Sequence, residues 1–360
     1  MEDMSELTAE EQAKLLRHEL EAVYGSSSYK IGRAVTWLPR NAKRGLKYLL
    51  HNGPVVSAKY IYTYAKYHKI ANENYAYWAC LQKKDYPEAL KKWFLETNYT
   101  HTPLNLEHPK TFSEKTQWLK LNGGFEDVYP LVDKYAVREW VKEKIGEEYL
   151  IPLLGVWDNF DDIDFDALPD KFMLKVNHGA GWNIAVQDKS KFDKADAKRK
   201  IEGWLKLNYC YLMGGLDVQY IRIKFIENDG GDLYDYKIFC FDGEPKIILH
   251  IEERYTDKEE RMFFYDTQWN QLPFNINVPL EMVDIPKPEN LDKMLDIART
   301  LSQGYPCVRV DLYSLNDGSI KFGEMTFTTE SGISRWHPES ANEYMGSLIH
   351  LPGVDDKGDN

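Results

Sequence analysis

The sequence predicts an α+β fold, and three observations carry that prediction. Two segments, "YDYKIFCFDGEPKIILHIEE" and "CVRVDLYSLNDGSIKFGEMTF", read as β-hairpins turning at Asp242-Gly243 and Asp317-Gly318. Helical periodicity recurs in blocks separated by short apolar runs. Strict strand–helix–strand alternation is missing, which favours antiparallel sheets over a parallel one. At 360 residues the chain has room for two compact domains, or one domain with a large appendage.

Residues 1–72 open with a helix over "EEQAKLLRHELEAVY", then turn basic and aromatic, with a break at Pro39. Between 22 and 72 there are nine Lys or Arg and no Asp or Glu, on a chain whose net charge is −12. Such a segment suits an anionic membrane surface or acidic polymer, or equally the acidic body of the chain itself. Residues 73–130 are mostly helical. There "HPKTFSEKTQWLKLN" carries a capping signal, Thr111 followed three residues later by Glu114, and Gly123 and Gly124 close the helix.

From about 131 the elements alternate. "DKYAVREWVKEKIG" is a helix from Asp133 and Lys134 to Gly146, and "YLIPLLGVW", "KFMLKVN" and "NIAVQD" read as strands. "KADAKRKIEGWLKLNYC" is a helix, "YIRIKFIE" a strand, and "NDGGD" a loop into the first hairpin. "NLDKMLDIARTLSQG" is the helix between the two hairpins.

Several functions are excluded. No apolar run reaches membrane-spanning length, and the acidic N-terminus argues against a secretory signal. The four cysteines are scattered without metal or redox spacing, as expected for reduced thiols in a cytoplasmic protein. HxH, HExxH and GxSxG patterns are absent, and no nucleic-acid module is present on this acidic chain.

The second hairpin carries the strongest chemical signal. Asp311 and Glu324 lie near the middle of paired strands, where they can face each other across the ladder. Facing carboxylates repel unless a cation lies between them, and Mg²⁺ with phosphate oxygens suits such a pair. Arg309, two residues before Asp311, shares its face and suits a terminal phosphate. The same residues also suit an Arg309–Asp311 pair with Glu324 turned to solvent. In "FMLKVNHGAGWN", Lys175 precedes a turn whose backbone N–H groups suit phosphate oxygens; a hairpin turn with a snorkelling lysine is the other reading. Asp133 and Lys134 lie at a helix start, where Lys134 by itself reads as a solvated lysine on a capped helix.

Taken in order, these segments resemble the layout of ATP-grasp ligases. More narrowly, "HPKTFSEKTQWLKLN", "DKYAVREWVKEKIGEEYLIPLLGVWDNFDDIDFDALPDKFMLKVNHGAG", "DYKIFCFDGEPK" and "GEMTFTTESG" resemble the TupA-like ATP-grasp family of bacterial teichuronopeptide and polysaccharide biosynthesis. The resemblance spans about 85–345. It implies an ATP-grasp fold: two α+β lobes, 131–228 with the glycine-rich loop and 229–350 with the metal-binding hairpin, followed by an acidic tail at 351–360.

It also implies ATP and Mg²⁺ as cofactors and assigns roles. Lys134 and Lys175 hold the α- and β-phosphates, and His178, Gly179 and Gly181 belong to the loop that covers them. Lys224, Phe225 and Ile226 present backbone to adenine. Glu227 or Asp235 takes the ribose, because Ile223 stands where the family's hinge commonly has Glu; Lys237 lies beside Asp235. Arg309 and Lys175 act on the transferred phosphoryl group, and Asp311 and Glu324 bind metal. Thr326 stands where many ATP-grasp enzymes have a metal-binding Asn. The implied activity is carboxylate–amine ligation through an acyl phosphate, on a glycan or small-molecule carboxylate and an amine or amino acid. The expected location is the cytoplasm, peripheral to the inner membrane face. A glycosyltransferase-associated polysaccharide protein without ligase chemistry is the alternative, although no DxD-type motif supports it.

Overall fold

The structure is a computed structural model that describes residues 78, 81–124, 128–179, 181–205, 225–228, 234–252, 261–315 and 317–354, with backbone alone for 225–228 and 234. The basic segment and its leading helix lie outside these residues. So do Lys224, the "NDGGD" loop, the end of the "KADAKRK" helix and residues 355–360.

Among the described residues two longer helices come first, α1 (Tyr86–Thr97) and α2 (Phe112–Asn122). A capping box starts α2: Thr111 Oγ1 accepts from Glu114 N at 3.1 Å, and Glu114 Oε2 accepts from Thr111 N at 3.1 Å. Next come α3 (Val137–Ile145), β1 (Phe172–Val176), β2 (Asn183–Val186), α4 (Lys194–Leu205) and β3 (Phe225–Asn228). The three strands form a small antiparallel sheet in the order β2-β1-β3. Phe172 and Leu174 of β1 bury against Ala197 and Ile201 of α4, which gives this sheet its own core.

A larger sheet follows, built from β4 (Tyr234–Phe241), β5 (Glu244–Glu252), β6 (Arg261–Asp266) and, after the short β7 (Asn275–Ile276) and helix α5 (Leu291–Ser302), β8 (Cys307–Ser314) and β9 (Ile320–Thr326). Its order is β6-β5-β4-β8-β9, antiparallel throughout. The chain closes with β10 (Trp336–His337), paired to β7, and α6 (Ser340–Ser347). Both Asp-Gly turns form as expected. Asp242 and Gly243 both have positive φ, 50° and 78°, as a two-residue hairpin turn demands.

Strand alternation decides what each face of the large sheet does. Tyr236, Ile238, Val308, Val310 and Leu312 face one core with α5 and with Val137 and Val141 of α3. Phe239, Phe241, Leu249 and Phe264 face another core, under Phe112 of α2, Trp336 and Met345 of α6. Asp235 and Lys237 lie on that second face too, four and two residues before Phe239. The second face is therefore apolar where helices cover it and charged where they do not.

Two expectations need correction. "YLIPLLGVW" forms no strand: residues 151–157 are irregular, since Pro152 lacks a ladder donor and no described strand pairs with them. Helix α3 begins at Val137, because the Asp133 carboxylate first caps a turn, accepting from Tyr135 N and Ala136 N at 2.7 and 3.0 Å. That helix packs under the large sheet, and Leu351 is wholly buried in the core with α6.

Candidate active site

The hairpin β8–β9 places its charges by register. Asp311 faces Glu324, and Arg309 faces Thr326. A bulge makes this possible: pairing slips after Asp311, so Leu312 meets Phe322 and one residue, Gly323, is extra. Without it, Glu324 and Phe322 could not both lie on their proper faces. Only glycine fits there, since a Cβ on Gly323 would lie 2.9 Å from the Tyr313 ring and 3.0 Å from the Asp311 carbonyl.

Arg309 grips Asp311 with two donors, Nε to Oδ1 at 2.6 Å and Nη2 to Oδ2 at 2.8 Å. The same Nη2 reaches Glu324 Oε1 at 3.2 Å and Thr326 Oγ1 at 3.0 Å. Burial alone would lower the Arg309 pKa, but the adjacent Asp311 carboxylate overrides it and holds the guanidinium above its usual range. The side chain of Asp311 is 1% exposed and that of Glu324 is 42% exposed. Arg309 and Asp311 therefore pair, and Glu324 opens to solvent beside them.

From the other wall, β1 leads into the glycine turn. Gly179 and Gly181 have φ of 77° and 71°, a backbone that other residues adopt at a cost. Gly179 also has no room for a Cβ, which would lie 2.6 Å from the Trp182 ring. Lys134 Nζ donates to the Gly179 carbonyl at 2.8 Å, while Lys134 N donates to Asn177 O and Asn177 Nδ2 donates to Asp133 Oδ2. Burial pushes the Lys134 pKa down, against the pull of Glu324 and Asp133. Lys134 is thus not a solvated helix lysine.

Lys134, Lys175, Tyr313, Gly323 and Glu324 line one cleft, with Arg138 and the irregular Ile151-Pro152 completing its wall. Sequence reasoning had no signal for Arg138, Tyr313 or the Asn177–Asp133 tie. His178 is buried with its ring edge-on to Trp182. Phe225 and Ile226 pair with Val176 and Lys175, and Glu227 pairs with Leu174. Among the described residues β3 is an edge strand, so its outer backbone has no strand partner.

Asp235 lies near the start of β4, two residues before Lys237. It is buried against Lys237, Oδ2 to Nζ at 3.1 Å, and Lys237 also bonds Asp311 Oδ2. This carboxylate belongs to the ion cluster beside Asp311. Thr326 offers its hydroxyl to Arg309, as described above. Among the described residues no group of three His, Cys, Asp or Glu is arranged to hold a metal ion. Asp311, Glu324 and the Thr326 hydroxyl are nevertheless hard oxygen donors. They suit Mg²⁺, which usually takes one or two carboxylates and completes its shell with phosphate and water.

Comparison with known proteins agrees with this architecture. A family model described as TupA-like ATPgrasp matches residues 114–350. No curated protein matches the chain. Among solved structures, it is similar to N5-carboxyaminoimidazole synthetase from Staphylococcus aureus, at 11% identity and a TM-score of 0.34 over 55% of this chain and 44% of that one. D-alanine–D-alanine ligase from Bacillus anthracis, complexed with ATP, gives 15% identity and 0.34 over 55% and 53%. D-alanyl-alanine synthetase A from Vibrio cholerae gives 11% and 0.40 over 67% and 69%. At those scores the likeness assigns no residue a role, and the chain spans about half the length of the first structures it matches.

Proposed function

The chain belongs to the TupA-like ATP-grasp family, and from that premise we propose that it is an ATP- and Mg²⁺-dependent carboxylate–amine ligase of bacterial surface-polysaccharide assembly. One observation carries the reading: two lysines beside a glycine turn and the exposed carboxylate of the β8–β9 hairpin line the same cleft. A triphosphate clamped there would meet lysines on one wall and a carboxylate suited to Mg²⁺ on the other.

In this reading Lys134 and Lys175 hold the α- and β-phosphates, and the turn at Gly179 and Gly181 covers them. Phe225 and Ile226 offer the outer edge of β3 to adenine, and Glu227 takes the ribose. Asp311, Glu324 and Thr326 hold the Mg²⁺, which when bound neutralises charge on the transferring phosphoryl group. Arg309, fixed by Asp311, orients the γ-phosphate oxygens. A substrate carboxylate oxygen attacks the γ-phosphorus and ADP leaves, giving an acyl phosphate. An amine nitrogen then attacks the acyl carbon, phosphate leaves, and the amine gives up a proton as the amide forms. The basic segment 22–72 holds the enzyme against an anionic surface at the inner membrane face.

The test is ADP release by the full chain against panels of uronic acids and amino acids. ADP should form only when a carboxylate and an amine are both present. Turnover of a sugar nucleotide without ATP would refute the proposal.

A further inference from the structure

Arg138 stands one helical turn beyond Lys134. Val137 N donates to Asp133 O at 3.0 Å, which carries the path of α3 back to the capped turn, so residues four apart there share a face. Both side chains line the cleft, together with Lys175 and Glu324. The other two cations of α3 are taken up elsewhere: Lys142 Nζ lies 2.8 Å from Glu147 Oε2, and Lys144 Nζ sits over the Trp140 ring, 6.0 Å from its centre. Arg138 differs. Among the described residues no carboxylate lies within ion-pair distance of it, and its side chain makes one hydrogen bond, from Nη1 to the Ile151 carbonyl at 3.0 Å. Burial pulls its pKa below the usual value, with Tyr135, Glu139 and Glu147 acting against that pull. A half-buried guanidinium steadied by a carbonyl keeps its charge and most of its five donors for another partner.

We propose that Arg138 is a third cation for the nucleotide, taking phosphate oxygens on the fork that the Ile151 carbonyl steadies. The charge of the cleft selects a polyphosphate over a lone carboxylate. Lys134, Lys175 and Arg138 bring three formal positive charges to the lining, against one negative charge on Glu324, which already accepts from Arg309. A monocarboxylate would leave most of that excess unmatched, whereas a triphosphate carries negative charge enough for all three cations. The planar fork suits phosphate in shape as well, because it can grip two oxygens of one group. The irregular Ile151-Pro152 segment then has a use: its carbonyl, claimed by no described strand, sets the angle of the fork. The inference deepens the nucleotide reading of the cleft and rests on it.

The experiment labels the arginines of the full wild-type chain with phenylglyoxal and follows the Arg138 peptide by mass spectrometry. Four samples are compared: no addition, inorganic tripolyphosphate, a non-hydrolysable ATP analogue with Mg²⁺, and glucuronate. Tripolyphosphate and the analogue should each slow labelling of Arg138 about tenfold or more, and glucuronate should not. Arg138→Gln, which keeps a donor for Ile151 but no charge, should bind the analogue about tenfold more weakly by calorimetry, at an unchanged melting temperature. Equal labelling in all four samples with the analogue bound would overturn the role of Arg138, and so would an Arg138 that resists the reagent in the unliganded chain. Protection by glucuronate alone would also overturn it and give the fork to a substrate carboxylate. A folded Arg138→Gln that binds the analogue as tightly as wild type would do the same damage. If Arg138→Gln does not fold, the labelling of the wild type decides. Failure of the analogue to bind wild-type protein would overturn the nucleotide reading itself.

Discussion

Lys134 Nζ donates to the carbonyl of Gly179 at 2.8 Å, tying the capped turn before α3 to the glycine turn after β1. Burial holds this ammonium below its ordinary value of 10.5. Between the lowered value and 10.5 the unfolded chain binds more protons than the folded one. Charged Lys134 therefore weakens the fold, and stability rises with pH through that window. A bound triphosphate would reverse the shift by favouring the charged form. Nucleotide affinity should accordingly fall as pH rises through the lowered pKa, and binding there should take up protons. Calorimetry in two buffers of different ionisation enthalpy measures that uptake, and Lys134→Met should abolish it.

Glu324 and Arg309 should separate activity from stability. Glu324 is partly exposed, so Glu324→Gln should leave the melting temperature nearly unchanged while ADP formation drops on the order of 10²-fold or more. Arg309→Met takes one of two cations from the buried Asp311 carboxylate and should cost stability, up to about 3–5 kcal/mol, as well as activity. Arg309→Lys should not rescue it, since a lysine cannot reproduce the two-pronged grip on Asp311. Denaturant melts alongside ADP assays check all three variants.

The two loop glycines should differ. Gly181→Ala meets only the backbone cost of a left-handed residue, about 1–2 kcal/mol, because nothing lies near the added methyl. Gly179→Ala carries that cost and also drives a methyl into the Trp182 ring. Nucleotide titrations should show Gly179→Ala losing affinity by about tenfold or more, with Gly181→Ala clearly milder.

Thr111→Ala removes one half of the capping box on α2. It should lower stability by about 1 kcal/mol in a denaturant melt. Nucleotide affinity should not move, because α2 packs on the apolar half of the sheet face.

What was legible in the sequence follows from what is local. Short Asp-Gly turns signal hairpins, so the placing of Asp311 and Glu324 on two paired strands could be read directly. The bulge at Gly323 could not, because an extra residue in one strand leaves the apolar alternation readable in more than one way. Lys237 and Asp311 lie 74 residues apart, and their contact depends on β4 pairing with β8, which no local pattern encodes. Helix α3 shows a clear apolar stripe, yet a stripe does not say which sheet it will cover. The apolar run "YLIPLLGVW" looked like a strand because periodicity cannot tell whether a partner strand exists.

The basic segment makes a separate expectation. Full-length protein should bind vesicles containing anionic lipid and release them at high salt, and removal of residues 1–72 should weaken that binding. Equal vesicle binding by the shortened chain would remove the membrane from its function.

The most direct measurement is a crystal structure of the full chain with Mg²⁺ and a non-hydrolysable ATP analogue. The expected result places phosphate oxygens within hydrogen-bonding reach of Lys134, Lys175 and Arg309 together, with the ion on Glu324. A triphosphate bound away from that cleft, or touching only one of its walls, would contradict it.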